Sequence, residues 1–195
     1  MGDAIMKRFG IATAALACIL FSTATHARVI TFNGLGVGGQ LGLVVPEYDG
    51  PAFGFGINGM AEFDLGRFGR LQFIPTLTFW FDSDEWRNGA GVKFEDLNGQ
   101  IVMNLFDTKY LFPLQRYPVN PYVGFSPFPC IVININKRWI DNEEEWDYND
   151  ADAGFNIFTG VDFPIKNKFV PYFEWRFMAS HEWAMRVTGG FVIRF

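Results

Sequence analysis

The sequence predicts an all-β fold, an eight-stranded antiparallel up-and-down transmembrane β-barrel, on three observations. Apolar and polar residues alternate with a period of two along most of the chain, and no amphipathic 3.6-residue pattern of useful length follows Ala27. The alternating segments number eight, an even count, with mostly short turns at one end and longer polar links at the other. The greasy face of those segments holds most of the strand phenylalanines, in a chain with 23 Phe among 195 residues, too much volume for an eight-stranded lumen.

The first 27 residues read as an export signal. Lys7 and Arg8 precede an uncharged run from Phe9 to Phe21, and small residues lead to Ala27. Thirteen residues are too few to span a bilayer as a helix, which needs roughly 18 to 20. Cys18 after Ala15-Leu16-Ala17 fits a lipoprotein signal poorly, because the apolar run continues past it. The expected division is therefore a cleaved signal peptide over 1–27 and a barrel domain over 28–195. Cleavage removes Asp3, Lys7, Arg8, Cys18 and His26, taking the net charge from −5 to −6 and leaving one cysteine, Cys130, and one histidine, His181. No internal disulfide and no Cys/His zinc cluster can then be built, and neither a metal nor a cofactor is expected. The acidic balance has the wrong sign for a nucleic-acid partner.

In chain order, strands are expected near 37–45 (Leu41, Leu43, Val45 against Gln40, Gly42) and 53–64 (Phe53, Phe55, Ile57, Phe63 against Gly54, Gly56, Asn58, Glu62). Two more lie near 70–81 (Leu71, Phe73, Leu77, Phe79 against Gln72, Thr76, Thr78, Trp80) and 94–106 (Leu97, Ile101, Met103, Leu105 against Asn98, Gln100, Asn104). The fifth runs near 119–136, where Pro127 and Pro129 each remove a ladder donor, so a bulge or an early end near the rim is expected. The sixth, near 152–163, sets Phe155 and Ile157 against Asn156, Phe158 and Asp162. The last two are the clearest: Phe169 to Ser180, and Trp183 to Phe195. Gly66-Arg67-Phe68-Gly69 and Pro164-Ile165-Lys166-Asn167 read as tight turns, and 107–118 as a longer link on the same side. Residues 46–52, the acidic stretch Asp82 to Arg87, the stretch Asp141 to Asp152 and a link around His181 form the opposite side.

A soluble barrel of lipocalin type also has eight alternating strands, but it would turn the apolar face inward. Here the other face is rich in Gly and poor in charge, which suits a crowded interior. With the apolar face outward, aromatics gather in two belts: Phe53, Phe79, Phe81, Phe155, Phe177 and Trp183 at the loop end, and Phe63, Phe73, Phe163, Phe169 and Phe195 at the turn end.

Thr188-x-Gly190-x-x-Ile193-x-Phe195, ending on the terminal Phe, resembles the C-terminal signal by which the outer-membrane assembly machinery recognises its clients. Asn120-Pro121-Tyr122-Val123-Gly124 resembles a strand opening of small OmpA/OmpX-like barrels, the outer membrane protein beta-barrel domain. The resemblance covers residues from about 35 to 195. It implies a cell outer membrane location, with outer-membrane lipid, lipopolysaccharide and the assembly machinery as partners, and it says little about activity.

The candidate lumen charges are Glu62, Glu174, Arg176, Arg186 and Arg194, with Glu174 expected to bridge Arg176 and Arg186 across the last hairpin. They make a plug or, less simply, the gate of a narrow pore. The acidic stretch, expected as an extracellular loop, contains Asp141, Glu143, Glu144, Glu145, Trp146, Asp147, Tyr148 and Asp150, and could gather divalent cations or meet a surface ligand. Ser180-His181-Glu182 has the residue types of the eight-stranded lipid A deacylases. Neighbouring strand residues point to opposite faces, however, so a catalytic pairing is not expected and the chain reads as no enzyme. The expected role is structural or adhesin-like, with transport through a narrow pore or of small hydrophobic molecules as the alternative.

Overall fold

The computed structural model describes residues 30–47, 50–114, 118–140, 143–165, 168–181 and 183–195, and for 144–149 the backbone alone. The expected signal peptide lies outside the described residues. Among the described residues nine strands form: β1 (Thr31–Pro46), β2 (Ala52–Asp64), β3 (Arg70–Arg87), β4 (Lys93–Leu111), β5 (Asn120–Phe125), β6 (Cys130–Ile140), β7 (Glu143–Asp162), β8 (Phe169–Ala179) and β9 (Ala184–Arg194). Every pairing is antiparallel and, apart from the closure of β9 on β1, joins neighbours in sequence, with β5 and β6 sharing one place between β4 and β7. β9 returns to β1 over Gly36↔Arg194 to Pro46↔Ala184, so the sheet closes into a ring of eight places. Closure pairs the backbone groups that lipid cannot satisfy.

The sidedness follows the alternation. On β2, Phe53 and Ile57 are 78% and 64% exposed while Gly54, Gly56 and Asn58 are buried. Leu41, Phe55, Phe155, Phe173, Trp175 and Phe191 likewise face outward. Inward glycines make room for lumen rings. A Cβ on Gly190 would lie 2.4 Å from Tyr172 Cζ, and one on Gly124 2.2 Å from the Phe158 ring. Gly66 (φ 62°) and Gly69 (φ 103°) adopt left-handed backbone in the expected turn, around the 3-10 turn Gly66–Phe68.

Three expectations are corrected. The link expected over 107–118 begins later, because β4 continues to Leu111. Leu105 and Phe106 both face outward opposite Pro75, a bulge that moves the inward set from even to odd residues, so Asp107, Lys109 and Leu111 enter the lumen. The fifth strand is interrupted, with no early end at the rim. Ser126 to Pro129 separates β5 from β6 within the apolar belt, between outward Val123 and outward Ile131. Two prolines bring no N–H to that gap, and Phe128 covers it against Phe106 at 5.5 Å. Finally, the stretches expected as acidic loops are strand. Asp82 to Arg87 belongs to β3 and Glu143 to Asp152 to β7, since cross-strand backbone pairing holds them where no apolar alternation marks a strand. Asp141 lies outside the described residues.

Candidate functional site

Two regions carry the chemistry, the lumen and a sheet above the rim. At the turn end of the lumen Glu62, 1% exposed, accepts from Asn33 Nδ2 (2.5 Å), Arg70 Nη1 (3.2 Å), Arg194 Nη2 (2.8 Å) and Gln72. Higher up, Lys109 Nζ pairs with Asp162 Oδ1 at 2.6 Å and sits 3.7 Å from the centre of the Tyr122 ring. Tyr122 donates its hydroxyl to Glu174 Oε2 (3.1 Å), and Arg176 Nε donates to Glu174 Oε1 (2.9 Å). Arg176 Nη1 donates to Asp107, which also accepts from Ser126 Oγ at 2.5 Å. Beside this lies a neutral chain in which Asn58 donates to Tyr172 Oη (2.8 Å), Tyr172 to Gln40 (3.0 Å) and Gln40 to Thr78 (3.0 Å).

The expected bridge is only half there. Glu174 holds Arg176, but Arg186 stands directly across the strand pair from Arg176, and its Nε and Nη2 make no hydrogen bond. The second carboxylate on Arg176 is Asp107. Both Asp107 and Lys109 escaped the sequence reading because the bulge at Leu105–Phe106 reverses the alternation that would have shown them. Glu62 and Arg194 form a separate cluster from Glu174 and Arg176, so the five expected lumen charges make two groups.

Above the ionic layer the lumen is mostly apolar, with buried Gln100 accepting from Trp80 Nε1 (3.2 Å) and donating to Asn134 Oδ1 (2.8 Å). Val44, Ala52, Trp80, Val102, Cys130, Val132, Met178 and Ala184 pack into one buried cluster. A cavity of about 20 Å³ remains beneath it, bounded by Val44, Trp80, Asn156 and Arg186 among others. That is space for roughly one water.

The second region stands on the loop side. β2 leaves β3 above Phe53↔Phe81 and β8 leaves β7 above Phe155↔Ala179, while β3–β4 pairing continues to Arg87↔Lys93 and β6–β7 pairing to Ile140↔Glu143. Four strands, β3-β4-β6-β7, therefore continue past the barrel as a projecting sheet. Trp86 stacks on its cross-strand partner Phe94, ring centres 4.2 Å apart and planes within 5°. Arg138 grips Asp96 with two bonds, Nε to Oδ1 at 2.7 Å and Nη2 to Oδ2 at 2.8 Å. Those hydrogen bonds hold the Asp96 carboxyl below its ordinary value against the opposing effect of partial burial. Lys93 donates to Glu95 and lies 3.5 Å from Glu85, and the Glu95 hydrogen bond raises its ammonium above the usual lysine range. Among the described residues no group of three or more His, Cys, Asp or Glu is placed to hold a metal ion.

The remaining expected residues fall as follows. His181 is exposed at the β8–β9 tip, its backbone N–H donating to Asp152 Oδ2 (2.8 Å), and Glu182 lies outside the described residues. Thr188 and Gly190 face the lumen, and Ile193 and Phe195 face outward, with Phe195 N donating to Leu35 O at 3.0 Å.

No protein-family model and no curated protein matches the sequence. Solved structures do match in fold. Ail, the attachment invasion locus protein of Yersinia pestis, solved with the heparin analogue sucrose octasulfate, superposes with a TM-score of 0.51 at 11% identity, covering 83% of this chain and 97% of Ail. Neisserial surface protein A gives a TM-score of 0.48 at 16% identity over 85% of this chain and 99% of its own. The N-terminal β-barrel domain of Pseudomonas aeruginosa OprF gives 0.43 at 13% identity, over 84% and 100%. The fold is that of the small eight-stranded outer-membrane β-barrels, and the outward belt of Phe, Leu, Ile and Val is a surface made for lipid.

Proposed function

We propose that this chain is an outer-membrane surface-interaction protein whose barrel is a closed anchor and whose working part is the projecting sheet. The observation that carries this reading is the contrast in filling. The lumen is crossed by paired ions and then by a mostly apolar layer closed by Trp80 and Gln100, whereas the sheet carries exposed Asp84, Glu85, Trp86, Glu143 and Asp150 beyond the rim. A route through eight strands needs space, and small barrels fill theirs with side chains. His181, exposed at a hairpin tip, takes no catalytic part in this reading.

Ail was captured with a polysulfated sugar, a ligand that calls for cations. The residues this chain offers in its place include Asp82, Asp84, Glu85, Glu143, Asp150 and Asp152, a field that repels sulfate. The partner is accordingly read as cationic.

The test trims the sheet. Replacing 83–96 and 138–149 by tight turns leaves the barrel wall intact, and bacteria carrying the trimmed protein should lose surface attachment while the barrel still shows its heat-modifiable gel shift. Attachment unchanged by trimming would overturn the reading. In planar bilayers the intact refolded barrel should be silent, and discrete reproducible channel steps would put transport ahead.

A further inference from the structure

The projecting sheet has two open edges. Among the described residues, β3 above Phe81 is paired only with β4, and β7 above Phe155 only with β6. An open edge is a row of N–H and C=O groups able to pair with another strand.

The hydrogen bonds show which residues supply that row. On β7, Asn156 C=O accepts from Ser126 N on the β6 side, while Phe163 N–H donates to Pro171 O on the β8 side. Even residues therefore turn their backbone groups towards β6, and odd residues, Ala153 and Ala151, towards the open side. The open-side amides are already occupied, each by the carboxylate of the residue before it. Ala151 N–H donates to Asp150 Oδ1 and Ala153 N–H to Asp152 Oδ1, both at 2.8 Å. The same arrangement stands on the other edge, where Ser83 N–H donates to Asp82 Oδ1 at 3.0 Å. Asp152 also accepts from His181 N–H, so the β8–β9 tip abuts the edge there and the free run of β7 starts at Ala151.

We infer that the β7 edge above His181 docks an extended, basic segment of a partner protein, and that the aspartate caps select for its charge. The inference rests on the sheet being the working surface and names what that surface takes. An incoming strand must win the Ala151 N–H from Asp150, which leaves a carboxylate without its donor. A lysine or arginine on the incoming strand supplies a new, charge-assisted partner at once, and a neutral strand does not. The run Glu143–Asp152 contains six carboxylates and no Lys or Arg. A second copy of the same edge is therefore repelled.

The experiment uses the whole barrel in lipid nanodiscs and a labelled short peptide of alternating Lys and Thr, followed by fluorescence anisotropy. A version N-methylated at alternate amides keeps the charge and cannot complete the ladder. The plain peptide should bind, the methylated one at least about tenfold more weakly, and an acidic analogue not at all. Ala151→Pro deletes an open-side N–H and leaves the β6 ladder untouched, so it should weaken the plain peptide by a similar factor. Equal binding of plain and methylated peptides would reduce the effect to charge attraction and overturn edge docking, as would no binding of either. The methylation arm uses the unaltered protein and stands whether or not the proline variant folds. Trimming that abolishes attachment, combined with a failed methylation contrast, would sink this inference alone. Attachment that survives trimming would remove the surface reading beneath it.

Discussion

Arg176 in the lumen and Arg138 on the projecting sheet are both arginines held across strands by carboxylates, and their settings differ. Arg176 is 4% exposed and donates to Asp107 and Glu174, which are buried with it. The Arg138 side chain is 36% exposed and grips the half-buried Asp96. Inside the barrel the ions have given up water and depend on one another. On the sheet, water screens each charge and can replace a lost partner. The same bond type is therefore a condition of folding in one place and a small adjustment in the other.

Removing one lumen partner should have the largest effect. Arg176→Met strands two buried carboxylates and should cost about 3 to 5 kcal/mol, read as a large fall in melting temperature in detergent. Glu174→Ala should act in the same direction, and an unchanged melting point would deny that Glu174 is structural. Lys109→Met sharpens the contrast through its rescue. Alone it leaves Asp162 unpaired, but with Asp162→Leu added the loss should shrink to about 1 kcal/mol or less, because an apolar pair can replace a buried ion pair. A double variant as unstable as the single one would contradict this account.

Effects on the sheet should be smaller and local. Asp96→Asn should cost about 0.5 kcal/mol after allowing for solvent screening, seen as faster amide exchange in 93–98 and 136–140 with the barrel melting unchanged. The same pair gives a pH signature. The folded Asp96 carboxyl sits below its unfolded value, so its contribution is complete above the ordinary carboxylate value of about 4 and lost as pH falls through the lower folded value. Exchange in the sheet should quicken over that acid interval in the native protein and stay flat in the Asn variant. The smallest expectation is His181→Ala, which should leave the lipid A mass spectrum as it was.

The sidedness of the wall was legible because period two is a local property. Phe53, Phe55 and Ile57 against Gly54, Gly56 and Asn58 need no knowledge of partners to be sorted. Where a partner decides, the sequence is silent. Asp107 and Lys109 look like the start of a link until the register against β3 shows the bulge at Leu105–Phe106. Glu143 to Asp152 looks like solvent because strand formation there rests on backbone pairing with β6. Glu174 and Arg176, two apart on one strand, could be joined from spacing. That Arg186 faces Arg176 and that Asp107 takes the second carboxylate's place depend on register and on a distant strand.

The bulge at Leu105–Phe106 acts like a change of reading frame. Below it and above it the same strand is decoded by opposite rules for which residue meets lipid and which meets the lumen. Straightening the bulge without changing the length of the strand would leave the composition of β4 unaltered and turn Asp107, Lys109 and Leu111 to the wrong side together, whereas deleting Phe106 would restore plain alternation and keep all three in the lumen. Any chimaera that exchanges half of this strand with another barrel must therefore carry the bulge, and the register of β3 against it, as a single inherited unit.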